Sequence, residues 1–218
     1  MGDDLTVVNA ARVSFDKEST WEKQQVVDPG MVRVHTTNNL SQKDEKLIRY
    51  LANHKHWTPF AHCTITFRIK TPIFVARQLF KHQIGLVVNE VSRRYVTHEP
   101  EFYMPDEWRL SAENVKQGSS DDILQDNKDT IKKVDEFNKK CLELYEELLN
   151  KDVCPEQARM VLPQSMMTEY YWTGSLIAFA RICTQRLEKT AQKETADIAE
   201  KISEHCSRLF PISWKYLI

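Results

Sequence analysis

The segment Cys63–His82, CTITFRIKTPIFVARQLFKH, carries two different periods back to back. Cys63, Ile65, Phe67 and Ile69 alternate with Thr64, Thr66 and Arg68, the repeat of a half-buried strand. Lys70 closes that run. Thr71 and Pro72 then pair a good N-cap with a first-turn proline. They predict a helix from Pro72 to about His82, with Gln78 and Lys81 on one face. A strand that feeds directly into a helix points to a mixed chain.

The pattern continues on both sides. Upstream, Ser41 and Asp44 resemble a capping box, and Leu47, Ile48 and Leu51 follow at helical spacing to about His54. That helix delivers the loop HKHWTPFAH, His54–His62. Downstream, Gly85 lets the chain leave the helix, and Ile84–Glu90 is expected as a loop. Asn114–Asp129 is polar and reads as a surface connection. A long helix follows, with Ile131, Val134, Phe137 or Cys141, Leu144 and Leu148 as its apolar stripe. Cys154-Pro155-Glu156 starts a short helix that presents Arg159, and Pro163 stops it. Met166–Trp172 reads as a strand. Gly174 to about Arg186 and Ala191 to about Leu209 read as helices, the second with Ile198, Ile202 and Leu209 inward. The order predicts an α+β fold, several helices packed on a small antiparallel sheet, in a single domain over residues 1–218.

Composition narrows the function. With 28% charged residues, 41% hydrophobic residues and a net charge of -1, nothing draws the whole chain to nucleic acid or membrane. Any anion site must therefore be local. Cys63, Cys141, Cys154, Cys183 and Cys206 form an odd set without CxxC, in a chain with no signal peptide or long apolar span, which fits reduced thiols in a cytoplasm. Cys63 and Cys141 fall on apolar stripes and read as packing residues. His54, His56 and His62 lack acidic or cysteine partners nearby, so no metal site is expected. None of the five glycines sits in GxGxxG or a P-loop, so a nucleotide must be held by another scaffold.

The local site is Arg77–Tyr95, RQLFKHQIGLVVNEVSRRY. Arg93 and Arg94 can grip a phosphate, Asn89 and Gln78 can address the edge of a base, and Lys81 and His82 add charge beside them. KHQ followed by NEVSRRY resembles the signature of the flavin-dependent thymidylate synthases, RHR, seven residues, then serine. Lys81 and Gln83 replace arginines, and eight residues, Ile84 to Val91, precede Ser92. The similarity extends through ARVSF (Ala11–Phe15), HWTPFAH (His56–His62), PIFVARQ (Pro72–Gln78), EFYMP (Glu101–Pro105) and ARMVLP (Ala158–Pro163). Relative to the family, the chain begins close to ARVSF and lacks part of an N-terminal strand.

The resemblance implies roles. Gln78, Leu79, Phe80, Lys81, Glu90, Val91, Ser92, Arg93, Arg94, Arg159 and Arg186 match positions that contact deoxyuridylate (dUMP). His56, Thr58, Lys81, His82, Gln83 and Glu90 match flavin positions. Ser175 and Arg181 do so with residue types that depart from the usual asparagines. Arg186, followed by the AQxE pattern of Ala191, Gln192 and Glu194, matches the arginine placed against the pyrimidine and is the expected catalytic residue. The activity implied is conversion of dUMP to dTMP with 5,10-methylenetetrahydrofolate as carbon donor, FAD as carrier and NADPH as reductant. The implied assembly is a homotetramer with shared active sites, and no nucleic acid or membrane partner is expected. A rival from another class is a non-catalytic nucleotide- or RNA-binding module using Arg93, Arg94 and Tyr95. Between the two stands a family member that binds flavin and dUMP without turnover.

Overall fold

The structure is a computed structural model and describes residues 2–27, 34–96, 98–113 and 118–218. In chain order the elements are α1 (Asp4–Arg12), β1 (Glu22–Val27), β2 (Val34–Asn39), α2 (Gln42–Asn53), α3 (Thr58–Ala61), β3 (Thr64–Pro72), α4 (Ile73–Leu79) and β4 (Leu86–Glu90). They continue as β5 (Arg109–Ser111), β6 (Ser119–Ile123), α5 (Asn127–Asn150), α6 (Pro155–Ala158), β7 (Met167–Ser175), α7 (Leu176–Arg186), α8 (Lys193–Leu209) and α9 (Pro211–Leu217). The fold is α+β. A three-stranded antiparallel sheet of order β3-β7-β4 lies at its centre, and β1-β2 and β5-β6 form separate two-stranded ribbons. No helix of the described residues is long and apolar enough to cross a membrane.

Strand β3 alternates as its sequence requires, with Ile65, Ile69 and Thr71 buried and Thr64, Thr66, Arg68 and Lys70 exposed. Its inner face meets Tyr170 and Trp172 of β7 in a cluster where Trp172 and Phe67 both pack edge-to-face on Phe179 of α7. The same core takes in Val7 and Val8 of α1, Ile48 and Leu51 of α2, Ile202 of α8 and Trp214 of α9. At the entry of α2, Ser41 accepts the Asp44 amide at 3.1 Å, and the Asp44 carboxylate is buried among Arg12, Ser19 and Ser41. Burial opposes its charge, yet the hydrogen bonds from Arg12, Ser41 and Ser19 outweigh burial and hold the carboxyl below its usual range.

Several local expectations are corrected. Helix α4 starts at Ile73, not Pro72, and ends at Leu79. Thr71 does not cap it but sits buried in β3 opposite Thr168. The first amides of α4 are instead satisfied by Met166 O (3.0 Å, from Ile73) and Gln164 O (3.2 Å, from Phe74). Most of the expected loop Ile84–Glu90 is strand β4, antiparallel to β7. As an edge strand exposed at every residue after Leu86, it shows no alternation to read.

Gly174 belongs to β7 and does not open a helix. A Cβ there would lie 2.5 Å from Leu86 Cδ2 and 3.0 Å from Gly85 O, so the glycine makes room for β4. Ser175 is the true cap of α7, accepting the Ala178 amide at 3.3 Å. On α5 the buried residues are Asn138 and Tyr145, whereas Phe137 and Leu144 face outward at 57% and 44% exposure. On α8, Thr195, Ala199, Ile202 and Cys206 face inward, and Leu209 is exposed. In the supposed surface connection Asn114–Asp129, Ser119–Ile123 is strand β6 and Asn127 opens α5, while residues 114–117 lie outside the described residues.

Candidate active site

The turn after α2 and the outer face of α7 enclose a groove of about 720 Å³ lined by Lys55, His56, Trp57, Phe60, Arg181 and Tyr216, among others. A second hollow of about 350 Å³ shares Trp57, Ile84, Ile177 and Arg181 and reaches Gly85, Thr173 and Ser175. Lys55 takes the left-handed conformation (φ 57°) that turns the chain sharply between His54 and His56. Tyr50 and His54 stack with centroids 4.0 Å apart, and His54 and His56 meet edge-on at 6.4 Å. Arg181 donates to Ile84 O at 2.6 Å, which ties α7 to the start of β4. Aromatic and aliphatic walls with Lys55 and Arg181 beside them fit a flat cofactor that carries phosphates. Thr58, the first residue of α3, is exposed next to Trp57, and Ser175 lines the second hollow.

At the C-terminal end of α7, Arg186 donates from Nε to His82 Nε2 at 3.1 Å. His82 must therefore be neutral, with its proton on Nδ1. Burial, then the charges of Arg186 and Arg181, push its pKa below the ordinary value. Gln78 donates to Gln192 Oε1 and accepts the Thr195 hydroxyl at 3.2 Å. Lys81 and Gln83 are exposed, Leu79 is buried in the core, and Phe80 packs edge-to-face on Tyr170 at 4.7 Å. The Leu79 side chain is thus a packing group, and its carbonyl accepts the His82 amide at 3.0 Å.

A second group forms where β4 ends. Glu90 accepts the Thr168 hydroxyl at 2.6 Å, and the exposed Val91 donates its amide to Glu169 O at 2.9 Å. The Ser92 hydroxyl lies 3.4 Å from the Arg94 amide. Arg94 pairs with the Glu156 carboxylate at 3.1 Å and lies over Tyr95, and Arg159 donates to the Glu156 backbone carbonyl at 3.3 Å. Arg93 does not join them. It is only 7% exposed and donates to His98 O, whereas Arg94 and Arg159 both contact Glu156, one at its carboxylate and one at its carbonyl. Both Arg93 and Arg94 lie in the turn that follows β4, where Ser92 O accepts the amides of Tyr95 and Val96, and there Arg93 is buried while Arg94 is exposed.

Sequence reading missed Lys55, Thr184 and Tyr216 of the large groove. Lys55 stood within the quoted HKHW loop, whereas Tyr216 is brought to the groove by α9 from more than 150 residues away and had no local signal.

A family model described as thymidylate synthase complementing protein matches residues 1–212. The chain is 36% identical over 205 residues to a flavin-dependent thymidylate synthase of Thermosipho melanesiensis, covering 94% of this chain and 81% of that protein. It is 35% identical over 218 residues to one from Kosmotoga olearia, covering 99% and 85%. Among solved structures it is similar to a UMP/dUMP methylase, PolB, from Streptomyces cacaoi bound with 5-Br dUMP, with TM-score 0.77, 28% identity and coverage of 99% of this chain and 90% of that one. With that family model matched across residues 1–212 and relatives 35–36% identical over nearly the whole chain, the chain belongs to the flavin-dependent thymidylate synthases.

Proposed function

We propose that this enzyme methylates dUMP to dTMP with 5,10-methylenetetrahydrofolate as carbon donor, FAD as its flavin and NADPH as reductant. The observation that carries the reading is the Arg186–His82 contact, which fixes a cation at the end of α7, the helix whose Arg181 and Thr184 line the large groove. Uracil C5 is a poor nucleophile, and a fixed positive charge at the ring favours ionisation at N3 and so enriches C5. In this reading Arg186 supplies that charge, and neutral His82 holds it in place without neutralising it. Arg94 and Arg159 bind the phosphate in exchange for Glu156, and Ser92 and Glu90 orient the sugar and backbone side of the nucleotide. Lys55, His56, Thr58, Arg181, Ser175 and the strip Lys81–Gln83 hold the cofactor. When bound, the flavin supplies the hydride that completes the methyl group.

A cysteine route fits poorly. Cys63 and Cys183 are buried, and burial pushes each thiol up to about 12, far from a usable thiolate. We also read the chain as a cytoplasmic single-domain protein acting as a homotetramer that shares residues between sites.

The test is an absorbance spectrum of the purified protein, followed by anaerobic reduction with NADPH and addition of dUMP and methylenetetrahydrofolate. Flavin bands that bleach and return as dTMP forms support the reading. A colourless protein that cannot be reconstituted and makes no dTMP supports a non-catalytic nucleotide binder instead.

A further inference from the structure

The AQxE residues do not reach toward Arg186's guanidinium but form a chain of hydrogen bonds that ends on Gln78. Arg109 Nη2 donates to Glu194 Oε1 at 2.7 Å, and Gln192 Nε2 donates to Glu194 Oε2 at 3.0 Å. Gln192 Oε1 then accepts from Gln78 Nε2, and Gln78 Oε1 accepts the hydroxyl of fully buried Thr195 at 3.2 Å. The direction of this chain is dictated by chemistry. An ionised carboxylate only accepts, so Gln192 must turn its NH2 to Glu194 and its oxygen to Gln78. Gln78 must then turn its own NH2 to Gln192. Burial works against the charge on Glu194, but the hydrogen bonds from Arg109 and Gln192 outweigh it and keep the carboxyl below its usual range. Arg109 is itself steadied by Ser119 Oγ at 2.9 Å, so the β5-β6 ribbon anchors the outer end.

A glutamine amide has two ends of nearly equal shape, and only its polar partners decide which end faces where. With one N–H given to Gln192, Gln78 keeps a second N–H in a defined place. We propose that Gln192 and Glu194 are positioning residues that hold the Gln78 N–H toward the pyrimidine, so that the site accepts uracil and rejects cytosine. The inference rests on dUMP being the substrate. Uracil presents a carbonyl oxygen at C4, which accepts that N–H, whereas cytosine presents an amino group there, which cannot. A site built to give one hydrogen bond discriminates strongly because the wrong ligand leaves the donor unpaired.

The test compares wild type with Glu194→Gln, measuring KM for dUMP, inhibition by dCMP, flavin content and melting temperature. Glutamine at 194 keeps the shape but can donate or accept, so Gln192 and Gln78 are free to turn. The preference for dUMP over dCMP is expected to fall by about tenfold or more with flavin content unchanged. Arg109→Gln combined with Glu194→Gln removes both charges and serves if the single variant leaves Arg109 unpaired and misfolds. An unchanged preference, or equal weakening of both nucleotides alongside a lower melting temperature, overturns the relay. A wild type that makes no dTMP from dUMP overturns the substrate reading itself, and is seen before any variant is compared.

Discussion

Two groups of cations serve the candidate site, and they are held by opposite means. Arg186 and Arg181 rest on neutral acceptors, His82 Nε2 and Ile84 O, which set no opposing charge against them. Arg94 rests on a carboxylate, Glu156, in an exposed ion pair. The difference separates two tasks. A cation that must polarise a ring has to be in place and unneutralised before the substrate arrives, whereas one that grips a phosphate can wait on an exchangeable partner. An exposed pair is worth only about 0–1 kcal/mol, so a phosphate displaces it easily.

The sharpest way to break the comparison is Arg186→Ala. If its charge stabilises the ionised ring, dTMP formation falls by roughly 10²- to 10³-fold while bound flavin, read from the visible spectrum, is retained. A loss confined to KM would move Arg186 into the phosphate group. Arg94→Ala is expected to raise KM for dUMP by about 10- to 100-fold with little change in kcat. Arg93→Ala makes the control beside it. It should lower thermal stability by about 1–3 kcal/mol, because it removes a buried hydrogen bond to His98 O, and equal KM effects at the two positions would restore the paired-arginine reading.

Acid probes the neutral holder. Because the His82 pKa is depressed in the fold, the unfolded chain binds a proton that the folded chain refuses. The Arg186 contact is therefore intact above the ordinary value of 6.5 and is lost, with some stability, as pH falls below that value through the depressed folded pKa. A kcat profile with this acid limb, absent in His82→Gln, is the expected result. Glu156→Gln should act in the opposite sense on the other group, lowering KM for dUMP by no more than about fivefold because only an exposed pair is removed. Smallest of all, Lys81→Arg with Gln83→Arg should leave activity within about twofold, since both side chains are exposed. A large gain would show that the KHQ sequence impairs this chain.

Much of this was readable from local pattern. The alternation of β3 and the Ser41 cap of α2 are recovered in the structure because one buried face, or one capped amide, imprints itself on neighbouring residues. The stretch Arg77–Tyr95 drew the eye to His82 and Arg94, since arginine, histidine and glutamate gathered so closely are costly unless used, whereas Arg181 and Arg186 lie outside it on α7 and were named only through the family resemblance. The seam of α5 was misread because hydrophobicity favoured Phe137 over Asn138, yet Asn138 is buried where Ser165 Oγ approaches it at 3.4 Å. Strand β4 was misread because its pairing partner lies some 80 residues away.

By itself, then, the sequence determined the α+β order and the strand–helix core, both of which depend on short-range periodicity and on residue chemistry. Only the tertiary structure decided that Arg93 is buried while Arg94 is exposed, that Arg186 rests on His82, and that Glu194 is linked to Gln78 through Gln192. Those are matters of direction, and direction is set by where distant elements place a donor, an acceptor or a buried wall.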